Sequence, residues 1–203
     1  MPGMPLSLEY QILTLAPLRL PDGQIRPTHG APSLAGATLK GAARRSATTI
    51  AAVLQQRACQ EDGDPSCPIC RLFGAPGREG WLRWEPATLD TGQNQTPRPD
   101  ELEARRRRPV DVVSGRSTVG PTPSRLALPA DLLFKARLHG WLAEDGLGDT
   151  ALLVAALLRL EYLGGGQASG YGRVAVTTKT IRLAGESHDS ATLVGSLLAL
   201  EAV

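Results

Sequence analysis

The sequence predicts an α+β fold in which helices cover one face of an antiparallel sheet. Three observations predict it: residues 6–15 alternate apolar and polar, residues 150–163 and 188–201 are apolar helical segments, and residues 173–183 form a β-branched run. The resulting order of strand, helix, strands, helix and strand suits one such domain spanning residues 1–203.

The first half of the chain alternates regular and irregular segments. Residues 6–15 have the two-residue period of a half-buried strand, and residues 16–33 are rich in Pro and Gly and are predicted to be a loop. Residues 37–57 carry an apolar face at helical spacing. Residues 58–80 are predicted to be an irregular, cysteine-bearing insertion, which ends at a short strand, 81–84.

Residues 85–125 differ sharply in composition from the rest. Six prolines lie between positions 86 and 123, and the run Arg105–Arg108 is strongly basic. We expect an exposed insertion that contains a hairpin. Residues 126–142 are predicted to be one or two strands, and the helix at 150–163 is expected to begin at Asp149 or Thr150 and to end at Gly164.

Bulk composition restricts the class of protein. The chain has 203 residues, is 42% hydrophobic and carries a formal net charge of +2. It has no apolar run of membrane-spanning length and no leader pattern, so a cytoplasmic location without membrane contact is expected. Because the net charge is small, nucleic-acid binding would depend on local basic patches.

The start of the first helix is the first candidate site. Gly36 would let the backbone approach a ligand, and Thr38, Lys40, Arg44 and Arg45 lie in the first turns of a helix whose N-terminus favours anions. This combination suits an RNA phosphate backbone. A solvated helix with a few basic residues is the alternative.

A second glycine-rich segment, 164–173, lies near the other end of the chain. Gly165 and Gly166 would let backbone amides contact phosphate or ribose, Tyr171 would stack on a base, and Arg173 adds a cation. The alternative is a flexible connection between helix and strand, although such a connection needs fewer glycines.

The three cysteines form a third candidate site. Cys67 and Cys70 have the Cys-x2-Cys spacing of a zinc half-site, and Cys59 precedes them. The fourth ligand is left open between His29, an aspartate such as Asp62 or Asp64, and water. We expect Zn²⁺ in a structural role, and three free thiols are the alternative.

The arginine run is the fourth candidate. Arg106 and Arg107 stand among four adjacent cations, which repel one another and favour a polyanion or solvent. Beside two other phosphate-compatible segments, RNA binding is the favoured interpretation.

Several of these segments resemble the RAMP superfamily of CRISPR–Cas proteins, and most closely the backbone subunit of type III effector complexes. The resemblance rests on three segments: Leu34-Ala-Gly-Ala-Thr-Leu-Lys-Gly-Ala-Ala-Arg44, Cys67-Pro-Ile-Cys-Arg-Leu-Phe-Gly74 and Gly170-Tyr-Gly-Arg-Val174. Looser likenesses are Val110–Thr118, similar to the family's thumb segment, and Asp22-Gly-Gln-Ile-Arg26, similar to a loop that carries an aspartate in cleaving members.

The resemblance implies a fold, partners and an activity. The fold would be a ferredoxin-like RNA-recognition-motif core with a thumb hairpin inserted at 85–125. The partners would be crRNA, complementary target RNA, and other effector subunits, including copies or paralogues of the chain itself. If Asp22 is catalytic, the chain would cleave target RNA with Mg²⁺.

Two alternatives stand beside this hypothesis. The chain would be a non-cleaving scaffold subunit of the same complex, or a zinc-stabilised RNA-binding module unrelated to CRISPR. Cleavage by the Asp22→Ala variant distinguishes a scaffold subunit from a nuclease. The identity of co-purifying RNA tests whether the chain is an RNA-binding module unrelated to CRISPR. A crRNA-maturation nuclease of the same superfamily is disfavoured, because the N-terminal loop offers no obvious His or Tyr pair.

Overall fold

A computed structural model describes seven segments of the chain: residues 3–19, 25–28, 31–54, 66–93, 103–105, 125–143 and 146–199. Several predicted site residues lie outside these segments: Asp22, His29, Cys59, Asp62, Asp64, Arg106, Arg107 and residues 110–118. Their assignments stay predictions.

The described residues form an α+β fold with an antiparallel sheet and four α-helices, as predicted. The helices are α1 (Gly36–Val53), α2 (Pro68–Phe73), α3 (Leu147–Leu158) and α4 (Ser190–Ala199). The strands are β1 (Met4–Thr14), β2 (Leu18–Arg19), β3 (Ile25–Thr28), β4 (Ala31–Leu34), β5 (Leu82–Trp84), β6 (Ala87–Leu89), β7 (Glu103–Arg105), β8 (Arg125–Leu128), β9 (Leu133–Leu142), β10 (Val174–Leu183) and β11 (Glu186–Ser187).

The main sheet has the order β11-β10-β1-β9-β6-β4-β3, and β5 pairs with β9 beside β6. Its longest strand, β1, pairs antiparallel with β10 on one side and with β9 on the other. The register of β1 and β10 shifts between Glu9 and Tyr10, which marks a bulge. A smaller sheet of β2, β8 and β7 lies apart, and β7 pairs antiparallel with β8.

The helices cover one face of the main sheet. β1 buries Leu6, Leu8, Tyr10 and Ile12, the alternate residues that face this layer. α3 is buried along most of its length because it packs against β10 as well as α1 and α4. α1 meets α3 through small residues, with Ala43, Ala47 and Ala51 recurring every fourth position.

Some element predictions were wrong. The predicted loop at 16–33 contains β2 and β3 and most of β4, and the predicted irregular region at 58–80 contains α2. α3 begins at Leu147, before the expected cap, and ends at Leu158, before Gly164. Thr150 does not cap the helix, since its hydroxyl donates to the Gly146 carbonyl from within the first turns (2.7 Å). Within the described segments, no helix is both long and apolar enough to cross a membrane.

Candidate nucleic-acid interface

Gly36 begins α1 and is buried against β5. A Cβ at this position would collide with the carbonyl oxygen of Trp84, so the helix could not sit this close to the strand with any other residue. The preceding Ala35 has an extended backbone and supplies no side-chain cap. The close approach predicted at this glycine is thus made by the protein's own backbone.

Lys40 and Arg44 share one face of α1, and that face is turned toward α2. Arg44 Nη1 donates a hydrogen bond to the carbonyl of Gly74 at 2.9 Å, and Gly74 is the residue that ends α2. A cation at this place stabilises the negative end of the helix. Lys40 and Thr38 are half-buried, and the Thr38 N–H donates to the Ala35 carbonyl at 3.0 Å. RNA binding by these three residues stays a prediction.

Arg45 lies on a different side of α1 and faces the C-terminal glycine-rich segment. It is exposed and lines a groove of about 230 Å³ between α1 and the chain that follows α3. Helix α1 and the glycine-rich segment 164–173 therefore do share this groove. The cation that α1 contributes is Arg45 and not its neighbour Arg44. The groove is lined by Ala42, Arg45, Ser46, Thr49, Arg159, Leu160, Glu161, Tyr162 and Gln167.

The glycine-rich loop contributes one residue, Gln167, to the lining of this groove. Gly165 and Gly166 are exposed, and a 3-10 turn, Gln167–Ser169, stands between Gly166 and Gly170, which both have φ of +81°. These left-handed positions suit glycine. The Gly165 N–H donates to the Arg19 carbonyl at 2.9 Å, so the exposed turn is anchored at its base.

Tyr171 lies inside the protein. Its side chain is 7% exposed, and the Arg19 guanidinium stands 5.7 Å from the ring centroid. A base could stack on Tyr171 only after Arg19 moved. The neighbouring Gly172 has a φ of +81° and packs directly against the Leu163 carbonyl, so a Cβ at this position would collide with that carbonyl.

Arg45 was the one groove residue that the sequence analysis named as a site residue, and Arg159 and Tyr162 were among those it missed. Tyr162 is 41% exposed, and Arg159 ends α3 beside it. The exposed Arg173 pairs with Tyr162 in an isolated β-bridge, so its backbone is adjacent to this groove. The available signal was position, because Tyr162 follows the last apolar turn of the helix and is separated from the glycine run only by Leu163.

The described cysteines belong to the core. Cys67 precedes α2 and is 4% exposed, and Cys70 lies within α2 at 0%. No group of three metal-ligating side chains occurs among the residues with described positions. Because Cys59 lies outside them, a zinc site that includes it stays a prediction.

Taken together, the fold and the groove define an α+β protein with a surface cleft that carries two arginines, Arg45 and Arg159. A family model described as the RAMP superfamily matches residues 11–175. Since this match covers most of the chain, the protein belongs to the RAMP superfamily. A search of curated proteins found no significant match.

Proposed function

We propose that this protein is a crRNA-binding backbone subunit of a type III CRISPR effector ribonucleoprotein, and that the groove between α1 and the chain that follows α3 holds the guide backbone. Membership of the RAMP superfamily supports a CRISPR-associated RNA-binding subunit. We choose this groove because Arg45 of α1 and Arg159 at the end of α3 both line it.

The groove offers the contacts that a ribose-phosphate chain needs. Arg45 and Arg159 supply guanidinium donors for phosphate. The Ser46 hydroxyl is buried and has no hydrogen-bond partner among the residues that the structure describes, and Glu161 supplies an acceptor for a 2′-hydroxyl. The exposed ring of Tyr162 offers a surface on which one base can stack.

A ferredoxin-like core accompanies this proposal. Strands β10, β1, β9 and β5 are neighbours in that order, α1 lies between β1 and β5 in the chain, and α3 lies between β9 and β10. This is the arrangement expected of a β-α-β-β-α-β sheet. Antiparallel pairing of β7 with β8 supports a hairpin at the base of the proposed thumb.

The decisive measurement is binding of single-stranded RNA to the full-length protein by fluorescence anisotropy at several salt concentrations. The Arg45→Ala/Arg159→Ala double variant should bind about tenfold more weakly, with a salt slope smaller by about 1.4, because each lost phosphate contact removes about 0.7. Arg45→Lys/Arg159→Lys keeps both charges and should retain most of the affinity. Unchanged affinity and slope in the alanine variant would contradict the proposed groove.

RNA recovered with the protein from its native host distinguishes the CRISPR assignment from the alternative. Discrete short RNAs that share a constant 5′ tag support a crRNA-binding subunit. Heterogeneous RNA, or none, supports an RNA-binding module unrelated to CRISPR.

Cleavage of target RNA by Asp22 is supported by the resemblance of residues 22–26 to the family's cleaving loop. In the assembled complex, Asp22→Ala should abolish Mg²⁺-dependent cutting while the amount of bound crRNA stays the same. Cutting that persists unchanged would make this chain a non-cleaving scaffold subunit.

A structural zinc ion bound by Cys59, Cys67 and Cys70 is the remaining part of the proposal. Elemental analysis of the purified protein should find about one Zn²⁺ per chain, and Cys59→Ser should lower that content. A metal-free protein with unchanged thermal stability would leave the cysteines as core thiols.

A further inference from the structure

The face of the main sheet opposite the helices carries cations on neighbouring strands. Arg83 on β5 pairs with His139 on β9, His139 pairs with Ser7 on β1, and Ser7 pairs with Arg182 on β10. The two arginines therefore stand at the ends of one row across four strands. Three strand spacings of about 4.8 Å separate their backbones by roughly 14 Å.

The next rows of this open face also carry cationic side chains. Arg137 pairs with Glu9, Lys135 pairs with Gln11, and Lys179 lies at the bulge of β10. These five residues line a shallow depression of about 370 Å³, to which Glu85 and Thr88 also contribute.

Positive charge is in excess on the open face. Asp90 lies 3.0 Å from the Lys135 ammonium, and Glu85 lies 3.1 Å from His139. Arg83, Arg137, Lys179 and Arg182 form no ion pair with any residue that the structure describes. All four are exposed, and Glu9 is the one exposed carboxylate of the central rows that is left to offset them.

An exposed aromatic ring completes the surface. Trp141 lies two residues beyond His139 on β9, on the same face, and is 61% exposed. A protein partner would favour an apolar centre with a charged rim, whereas here the centre is charged and the large apolar side chain lies at the end of the strand. Cations with one stacking platform are the combination that binds single-stranded nucleic acid.

We propose that the open face of the sheet is a second binding surface, for single-stranded RNA, in which Arg83, Arg137, Lys179 and Arg182 contact phosphates and Trp141 stacks on an unpaired base. The surface lies across the sheet from the helix layer, so it is separate from the groove proposed for the guide. The two sites can fail independently.

Tryptophan fluorescence of the full-length protein, titrated with oligouridylate, tests this surface. RNA should quench the emission, and Trp141→Phe should remove most of the quenching, because the other two tryptophans, Trp81 and Trp84, are less exposed. Arg83→Ala/Arg182→Ala should weaken the affinity seen by this signal about fivefold or more and reduce its salt slope.

The groove variant Arg45→Ala/Arg159→Ala provides the matched control. It should leave Trp141 quenching and its midpoint unchanged, whatever it does to guide binding. The proposal is overturned by quenching that survives in Trp141→Phe, by an unchanged midpoint in the Arg83/Arg182 variant, or by chemical cross-links that place a protein subunit on this face with no RNA effect.

Discussion

Arg71 of α2 and Asp149 of α3 form a two-pronged ion pair. Arg71 Nε donates to one carboxylate oxygen at 2.9 Å and Nη2 donates to the other at 2.7 Å. Asp149 is 5% exposed and Arg71 20%, so most of this pair is shielded from water. The arginine of the Cys-Pro-Ile-Cys-Arg-Leu-Phe-Gly segment thus joins two helices.

Asp149→Asn should destabilise the protein by about 3 kcal/mol, because it leaves the half-buried guanidinium without its counter-charge. Urea denaturation measures the change. Arg71→Ala should cost a similar amount, and the Arg71→Ala/Asp149→Asn double variant should cost less than the sum of the two single changes. Strict additivity would show that the pair contributes no coupling energy.

Gly172→Ala should destabilise the fold by about 3 kcal/mol or more, because the new methyl group would meet the Leu163 carbonyl at a left-handed backbone position. Gly165→Ala is the matched control within the same loop. Nothing lies within 4 Å of a Cβ there, so its melting temperature should stay close to that of the wild type. Equal effects of the two changes would rule out this role for Gly172.

Tyr10→Phe should stabilise the protein by about 1 kcal/mol. The Tyr10 hydroxyl is buried and finds no hydrogen-bond partner in the described segments of the chain, and burial raises the pKa of the phenol well above its ordinary value. Removing an unsatisfied buried polar group recovers part of its desolvation cost. A lower midpoint in chemical denaturation would instead reveal a partner for that hydroxyl.

Asp189 caps α4, and its loss should make the stability less dependent on pH in acid. The carboxylate accepts hydrogen bonds from the Thr192 N–H at 2.9 Å and from the Thr192 hydroxyl at 3.2 Å. The bond from the Thr192 backbone N–H is the main cause that lowers the pKa of Asp189. Since the folded pKa is depressed, the stabilisation is present above the unfolded value, about 4, and is lost as pH falls through the folded value.

Melting curves across pH check this prediction. Asp189→Ala should melt below the wild type at neutral pH, and the difference should shrink as the solution is acidified below about pH 4. A constant difference at every pH would show that the charge of the cap does not contribute.

The sequence predicted those elements whose residues repeat with a clear period. β1 follows from two-residue alternation and β10 from its β-branched run, and α4 lies within the apolar helix predicted at 188–201. β3 and β4 were missed because each contains a proline, Pro27 and Pro32, and these two residues pair with each other. α2 was missed because a helix of six residues gives too short a pattern.

The sequence predicted which chain segments lie near the candidate site, but it did not predict which side chains line the groove. A glycine permits close approach, but the sequence does not say of what, and Gly36 and Gly172 both approach protein carbonyl groups. Arg44 and Arg45 are adjacent residues of the same type, so the sequence alone does not distinguish them. Their roles differ because one faces the end of α2 and the other faces the groove, which depends on how the helices pack.

The short strand β5 has side chains on both the helix-covered face and the open face of the sheet. The Trp84 carbonyl fixes where α1 starts, the Trp84 ring stacks on Phe73 of α2, and the adjacent Arg83 points to the open face. A lateral shift of this short strand would therefore displace both the start of α1 and the Arg83 cation on the opposite face.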